Sequence, residues 1–203
     1  RRIYDMIPSN LESKKKRVVF QDIEDKRGKR FSDYQDEFEY LISAGIALDV
    51  NAITTPVFPL TQSVGKNLLK LYLNDVGLLT DVLYGSNIRA ILDDETGINL
   101  GSVYESVVAQ ELAAHGYKLF YYDNRSKGEV DYLIDDYDSL SAIPIEVKSG
   151  KDYTVHSALS TFIKNDDYHV KKAFVLSNTR EITTNGKITY LPIYDVMFLQ
   201  NNS

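Results

Sequence analysis

Asp131, Glu146 and Lys148 are of the types that phosphodiester chemistry uses, and their spacing can bring them together. Asp131 sits in Glu-Val-Asp-Tyr-Leu-Ile (129–134), and Glu146 and Lys148 in Ile-Pro-Ile-Glu-Val-Lys (143–148), with a short loop between. The two runs read as adjacent strands. Alternation along the second sends Ile143, Ile145 and Val147 one way and Glu146 with Lys148 the other. Phosphodiester cleavage needs a hard cation held by carboxylates, which activates water and offsets charge at the scissile phosphate. It also needs a cationic side chain near the developing negative charge, a role suited to a lysine. A third carboxylate, Glu105, falls in the first turns of a predicted helix over 101–115, near its positive end. The candidate catalytic set is therefore Glu105, Asp131, Glu146 and Lys148, with Asp131, Glu146 and Glu105 as ligands of Mg²⁺.

Each of these residues also has a plainer reading. A Glu–Lys pair on a solvated strand contributes little energy. Glu105 can simply compensate the helix dipole, and Glu129, on the same strand as Asp131, fits the rim of such a site better than its centre. His115, His156 and His169 are scattered without metal-ligand spacing and read as structural or exposed.

The elements that must position these groups follow from periodicity. Val103, Val107, Val108 and Leu112 mark the inner face of the 101–115 helix. Residues 118–122 read as a strand, 153–164 as an amphipathic helix, and Ala173-Phe174-Val175-Leu176 as a strand buried on both faces. A helix between the Glu146 strand and this one implies a parallel crossover. One or two edge strands are expected over 188–199. Upstream, Phe31, Tyr34, Phe38, Leu41 and Ile42 share a helix face that ends at Gly45. Strand-like runs at 46–53 and 68–73 follow, with Pro56 and Pro59 between them. The expected organisation is a winged-helix-like helical segment over 1–74, a connector over 75–100 with a short helix at 75–84, and an α/β domain over 101–203. In class this is α/β, a mixed sheet flanked by helices and preceded by a small, mainly helical unit.

Composition narrows the function classes. The chain has 203 residues and no cysteine, which excludes disulfides and thiolate zinc sites. It suits a reducing cytoplasm, the expected location. No run approaches the roughly 18 apolar residues of a membrane helix, so no membrane partner is expected. The opening Arg1-Arg2-Ile3-Tyr4, without a methionine, suggests a fragment of something longer. Net charge is −6, but residues 1–30 hold ten Lys/Arg against five Asp/Glu, which leaves the remainder strongly acidic. An acidic surface opposes nucleic-acid binding unless metal ions or a basic patch intervene. Lys14, Lys15, Lys16 and Arg17, with Lys26, Arg27, Lys29 and Arg30, could supply that patch as a DNA-contacting arm, or form an ordinary solvated loop or an interdomain contact. The Gly-Lys pairs at 28, 65, 150 and 186 all lack the upstream glycine of a phosphate-binding loop, so ATP binding of that kind is not expected.

Several stretches together resemble the C-terminal portion of a family of bacterial and archaeal AAA-type ATPases. They are Ile7-Pro8 with Leu11, Leu41-Ile42-Ser43-Ala44-Gly45, Pro59-Leu60, and Lys70-Leu71-Tyr72-Leu73-Asn74-Asp75-Val76-Gly77-Leu78-Leu79. Gly101-x-x-Tyr104-Glu105, Gly128-Glu129-Val130-Asp131-Tyr132 and Ile145-Glu146-Val147-Lys148-Ser149-Gly150 complete the set. The resemblance implies an ATPase module earlier in the full-length protein as a partner. The second half is also similar to the PD-(D/E)-x-K, restriction-endonuclease-like superfamily. Carried over by that likeness, Glu105 matches the helix carboxylate, Asp131 the central metal ligand, and Glu146 and Lys148 the E-x-K pair. Val130 stands where the pattern has proline.

Three roles stay open at this level: Mg²⁺-dependent phosphodiester hydrolysis on DNA, a DNA- or protein-binding module of the ATPase without catalysis, and an acidic cluster that organises a domain interface or a homo-oligomer.

Overall fold

A computed structural model describes residues 2–13, 16–24, 27–85, 87, 89, 92–93, 100–150 and 152–201, apart from the side chains of 65–67. The N-terminal part is helical, with α1 (Arg2–Glu12), α2 (Phe20–Glu24) and α3 (Gln35–Ser43). Then come β1 (Ala47–Ile53), β2 (Val64–Leu73) and α4 (Val76–Tyr84), whose first turn is capped by the Asp75 carboxylate accepting from the Gly77 amide at 2.7 Å. The remainder comprises α5 (Gly101–Ala114), β3 (Phe120–Asn124), β4 (Gly128–Asp136), β5 (Ser141–Lys148), α6 (Ser157–Ile163), β6 (Ala173–Ser177), β7 (Thr183–Asn185) and β8 (Ile188–Pro192).

The described strands form one mixed eight-stranded sheet in the order β2-β1-β3-β4-β5-β6-β8-β7. The expected α/β class holds. β5 and β6 run parallel, as the intervening helix implied. Residues 46–73 do give a two-stranded antiparallel ribbon, but that ribbon belongs to the main sheet, because β1 pairs in parallel with β3. Parallel pairing of strands far apart in sequence carries no local signal, which is why these runs read as a separate wing.

The 188–199 stretch also differs from expectation. β8 lies inside the sheet between β6 and β7, the edge is β7, and 193–198 is a 3-10 helix. The 153–164 helix is shorter, starting at Ser157 and leaving Val155 exposed.

Strand alternation separates two apolar layers. One joins Ile134, Ile143 and Ile145 to Val108, Ala109 and Leu112 of α5, and to Ile7 and Phe38 of the N-terminal helices. The other joins Leu133, Ala142 and Val175 to Leu159 and Phe162 of α6. β5 is buried through Val147, covered on both faces, and β6, the strand expected to be buried on both faces, is buried apart from a half-buried Phe174. Ser102, Ser106 and Ala109 of α5 are all buried, and such small side chains let the helix lie close to the sheet. The Ser106 hydroxyl meets its hydrogen-bonding need on the Ser102 carbonyl at 2.7 Å. This close approach carries Glu105 to the sheet.

Candidate functional site

The site begins where the β4–β5 ladder stops. Tyr132 is the last residue of β4 in register, opposite Ile145. That register brings Asp131 beside Glu146. On its other side, β4 carries an irregularity against β3: Phe120 pairs with Leu133 and Tyr122 with Val130, so Asp131 and Tyr132 both oppose Tyr121. Such a bulge adds local twist and re-aims a side chain. The Asp131 carboxylate turns back onto the sheet and accepts the Val147 amide at 2.8 Å.

Glu146 is buried. Its Oε1 accepts from Lys148 Nζ at 2.7 Å, whereas Oε2 is buried with no partner. A buried acceptor of this kind costs free energy and calls for an explanation.

Glu105, also buried, is held from three directions. The Tyr72 hydroxyl donates to its Oε2 at 3.0 Å, the Lys16 ammonium pairs with Oε1, and the Tyr132 hydroxyl donates to its backbone carbonyl at 2.8 Å. Next to it, Lys70 is fully buried, 2.5 Å from Glu129 and 4.5 Å above the Tyr121 ring. Arg17 closes the rim on Asp123 at 2.8 Å.

Four carboxylates (Glu105, Glu129, Asp131 and Glu146) thus meet three ammonium groups (Lys16, Lys70 and Lys148). Among the described residues, Asp131 is the one without an ammonium of its own. Burial pushes its carboxyl well above the usual aspartate range, with the charges of Glu146 and Glu105 adding to the rise, against the opposing pull of Lys70 and the Val147 amide. Glu146 is raised too, first by burial and then by Glu105, despite Lys148. Burial also raises the hydroxyls of Tyr72 and Tyr132, which keeps both neutral and able to donate. For Lys16, burial favours the neutral amine, but the charge of Glu105 and its hydrogen bond, with Asp131 and Glu129, prevail and lift it above the usual lysine value.

The four residues singled out from sequence occupy this one region, though not as a single cage. Among the described residues, no three carboxylate or imidazole groups are placed to hold a metal ion together. Asp131 and Glu146 are the pair that suits a cation, since one is short of positive charge and the other has the orphaned oxygen. Glu105 has both oxygens engaged. Sequence reasoning missed Lys70 and Tyr72, and it noticed Lys16 only as part of a basic run. One signal was available: Lys70 and Tyr72 are the polar-tipped residues at alternate positions of an otherwise leucine-rich strand.

Two of the histidines are engaged elsewhere, and His169 is exposed. His115 contacts the Leu199 carbonyl at 2.8 Å and His156 the Tyr190 hydroxyl at 2.8 Å. Lys14, Lys15 and Lys26 of the basic run lie outside the described residues. No helix among the described residues is long and apolar enough to cross a membrane.

Residues 100–196 match a family described as a domain of unknown function, DUF4143. The DUF4143 stretch contains Glu105, Asp131, Glu146 and Lys148 but not Lys16, Lys70 or Tyr72, so the basic and phenolic groups that complete the site come from outside it. No curated protein and no solved structure matches the chain.

Proposed function

We propose that this region is a nuclease-like site, in which Asp131 and Glu146 hold a divalent cation for phosphodiester hydrolysis on DNA. The observation that carries the reading is Glu146 Oε2, a buried carboxylate oxygen with no partner, beside an Asp131 whose carboxylate is held by the Val147 amide and has no ammonium paired to it among the described residues. Mg²⁺ bound there would supply Lewis acidity to the scissile phosphate and lower the pKa of water. Lys148, 2.7 Å from Glu146, would present its ammonium to the charge that develops on the phosphate oxygens. Glu105 would orient water from its place on α5, and Tyr72 and Tyr132 fix its position.

Domains described as DUF4143 typically occur in the C-terminal region of AAA-ATPase-like proteins. The accompanying reading is therefore a cytoplasmic protein whose ATPase module precedes this part and acts with it.

A second reading is a DNA- or protein-binding module without turnover. It is favoured by the engagement of both Glu105 oxygens by Lys16 and Tyr72. Plasmid nicking with Mg²⁺ or Mn²⁺ separates the two. Hydrolysis predicts metal-dependent nicking that is lost in Asp131→Ala and in Lys148→Ala. Nicking that persists in both variants would sink the assignment. A folded, metal-loaded wild type that binds DNA without cutting it would favour the binding module.

A further inference from the structure

Lys16 does at Glu105 what an external cation would do, and it does so from a segment that is not part of the domain match. Its ammonium pairs with Glu105 Oε1, and its charge also acts on Asp131 and Glu129. The neighbouring Arg17 pairs with Asp123 at 2.8 Å, so two consecutive cations pin residues 16–17 to the acidic end of the sheet.

The Lys16 backbone reaches this position in an unusual conformation. Lys16 has φ of 51°, a left-handed backbone that a side chain other than glycine rarely adopts. The Ser13 hydroxyl and carbonyl hold it there, accepting from the Lys16 amide at 3.1 and 3.2 Å. The Lys16 and Arg17 side chains are both partly exposed, so each pair lies at the edge of the protein surface although Glu105 itself is buried. A strained backbone held by two ion pairs at the protein's edge has the makings of a two-state element, since release of the contacts also releases the strain.

We propose that Lys16 is an internal counter-cation, a latch that neutralises Glu105 and competes with a divalent cation for this group of carboxylates. The inference rests on the reading of Asp131 and Glu146 as a cation seat and adds a regulator to it. With the latch closed, an ammonium beside Glu105 repels an incoming divalent ion. With it open, Glu105 Oε1 loses its ammonium partner, and that like charge no longer opposes an incoming cation. Arg17 steadies the latch through Asp123 without touching the seat, so its loss should act in the same direction and more weakly.

The test is isothermal titration of Mn²⁺ into the whole chain, comparing wild type with Lys16→Met, Lys16→Arg and Arg17→Met. Thermal melts of each protein verify folding. The latch predicts that Lys16→Met binds Mn²⁺ about fivefold or more tightly than wild type, within the usual range of coupling between sites. Lys16→Arg, which keeps the charge, should stay near wild type, and Arg17→Met should fall between. If Lys16→Met binds Mn²⁺ no better than wild type while both bind, the latch is overturned and the seat survives. If neither binds, the seat and the latch fall together.

Discussion

The middle and the open end of the β4–β5 hairpin are built from the same two strands and behave as opposites. In the middle, Ile134 faces Ile143 in complete ladder register, and both are buried among the α5 side chains. At the open end, three residues along β4, the ladder stops, the bulge opposite Tyr121 intervenes, and Asp131 and Glu146 stand where the pattern would allow two more apolar residues. The middle stabilises the fold at no polar cost. The end gathers carboxylates whose burial opposes their charge, together with one oxygen left unpaired. Proteins retain such arrangements mainly where they serve a function, because an apolar pair at the same place would be at least as stable.

The contrast is sharpest in stability. Ile134→Ala, which empties part of the packed middle, should cost about 2–5 kcal/mol in urea unfolding. Next comes Glu129→Ala, which strands the fully buried Lys70 ammonium and should cost about 3 kcal/mol. Lys70→Met should be far milder, within about 1 kcal/mol, because Glu129 is partly exposed and can turn to water while the new side chain fills the space. If Lys70→Met proved the more damaging of the two, the buried ammonium would be contributing to the core rather than serving the carboxylates around it. Tyr132→Phe, at the seam between middle and end, removes one hydroxyl donor to the Glu105 carbonyl and should cost about 1 kcal/mol in a thermal melt.

The last of these predictions is a pH dependence. Asp131 holds its proton more tightly in the folded protein than in the unfolded chain. Its contribution to stability is therefore complete below the ordinary aspartate value of about 4 and is lost as pH rises through the raised folded value. Glu146 has the same sign. In EDTA, Asp131→Asn should remove the share of Asp131, flatten the decline with rising pH, and leave the variant more stable than wild type at pH 7. A decline as steep in the variant as in wild type would mean that the strain of the open end lies elsewhere.

Much of this contrast was legible from sequence, and what was not has a physical reason. The alternating Ile143, Ile145 and Val147 announced the apolar side of β5, and Glu146 with Lys148 announced the polar one, because strand periodicity is local. The α5 helix with Glu105 and the parallel neighbour β6 followed in the same way. The bulge at Asp131 was not legible, since it depends on how β3 pairs across Tyr121 and not on any residue of β4 alone. Lys70 and Tyr72 were equally hidden. They reach the site only because β1 pairs in parallel with β3 and carries β2 along with it, a contact between segments about seventy residues apart. Lys16 was visible as charge, but its partner Glu105 lies 89 residues away, and nothing local names it.

The most direct test of the account is the melting temperature of wild type and Glu146→Gln, titrated with Mn²⁺ at neutral pH. A cation seat at Asp131 and Glu146 predicts that Mn²⁺ raises the melting temperature of wild type in a concentration-dependent way and leaves Glu146→Gln unmoved. A wild type indifferent to Mn²⁺, or an equal rise in both proteins, would contradict it.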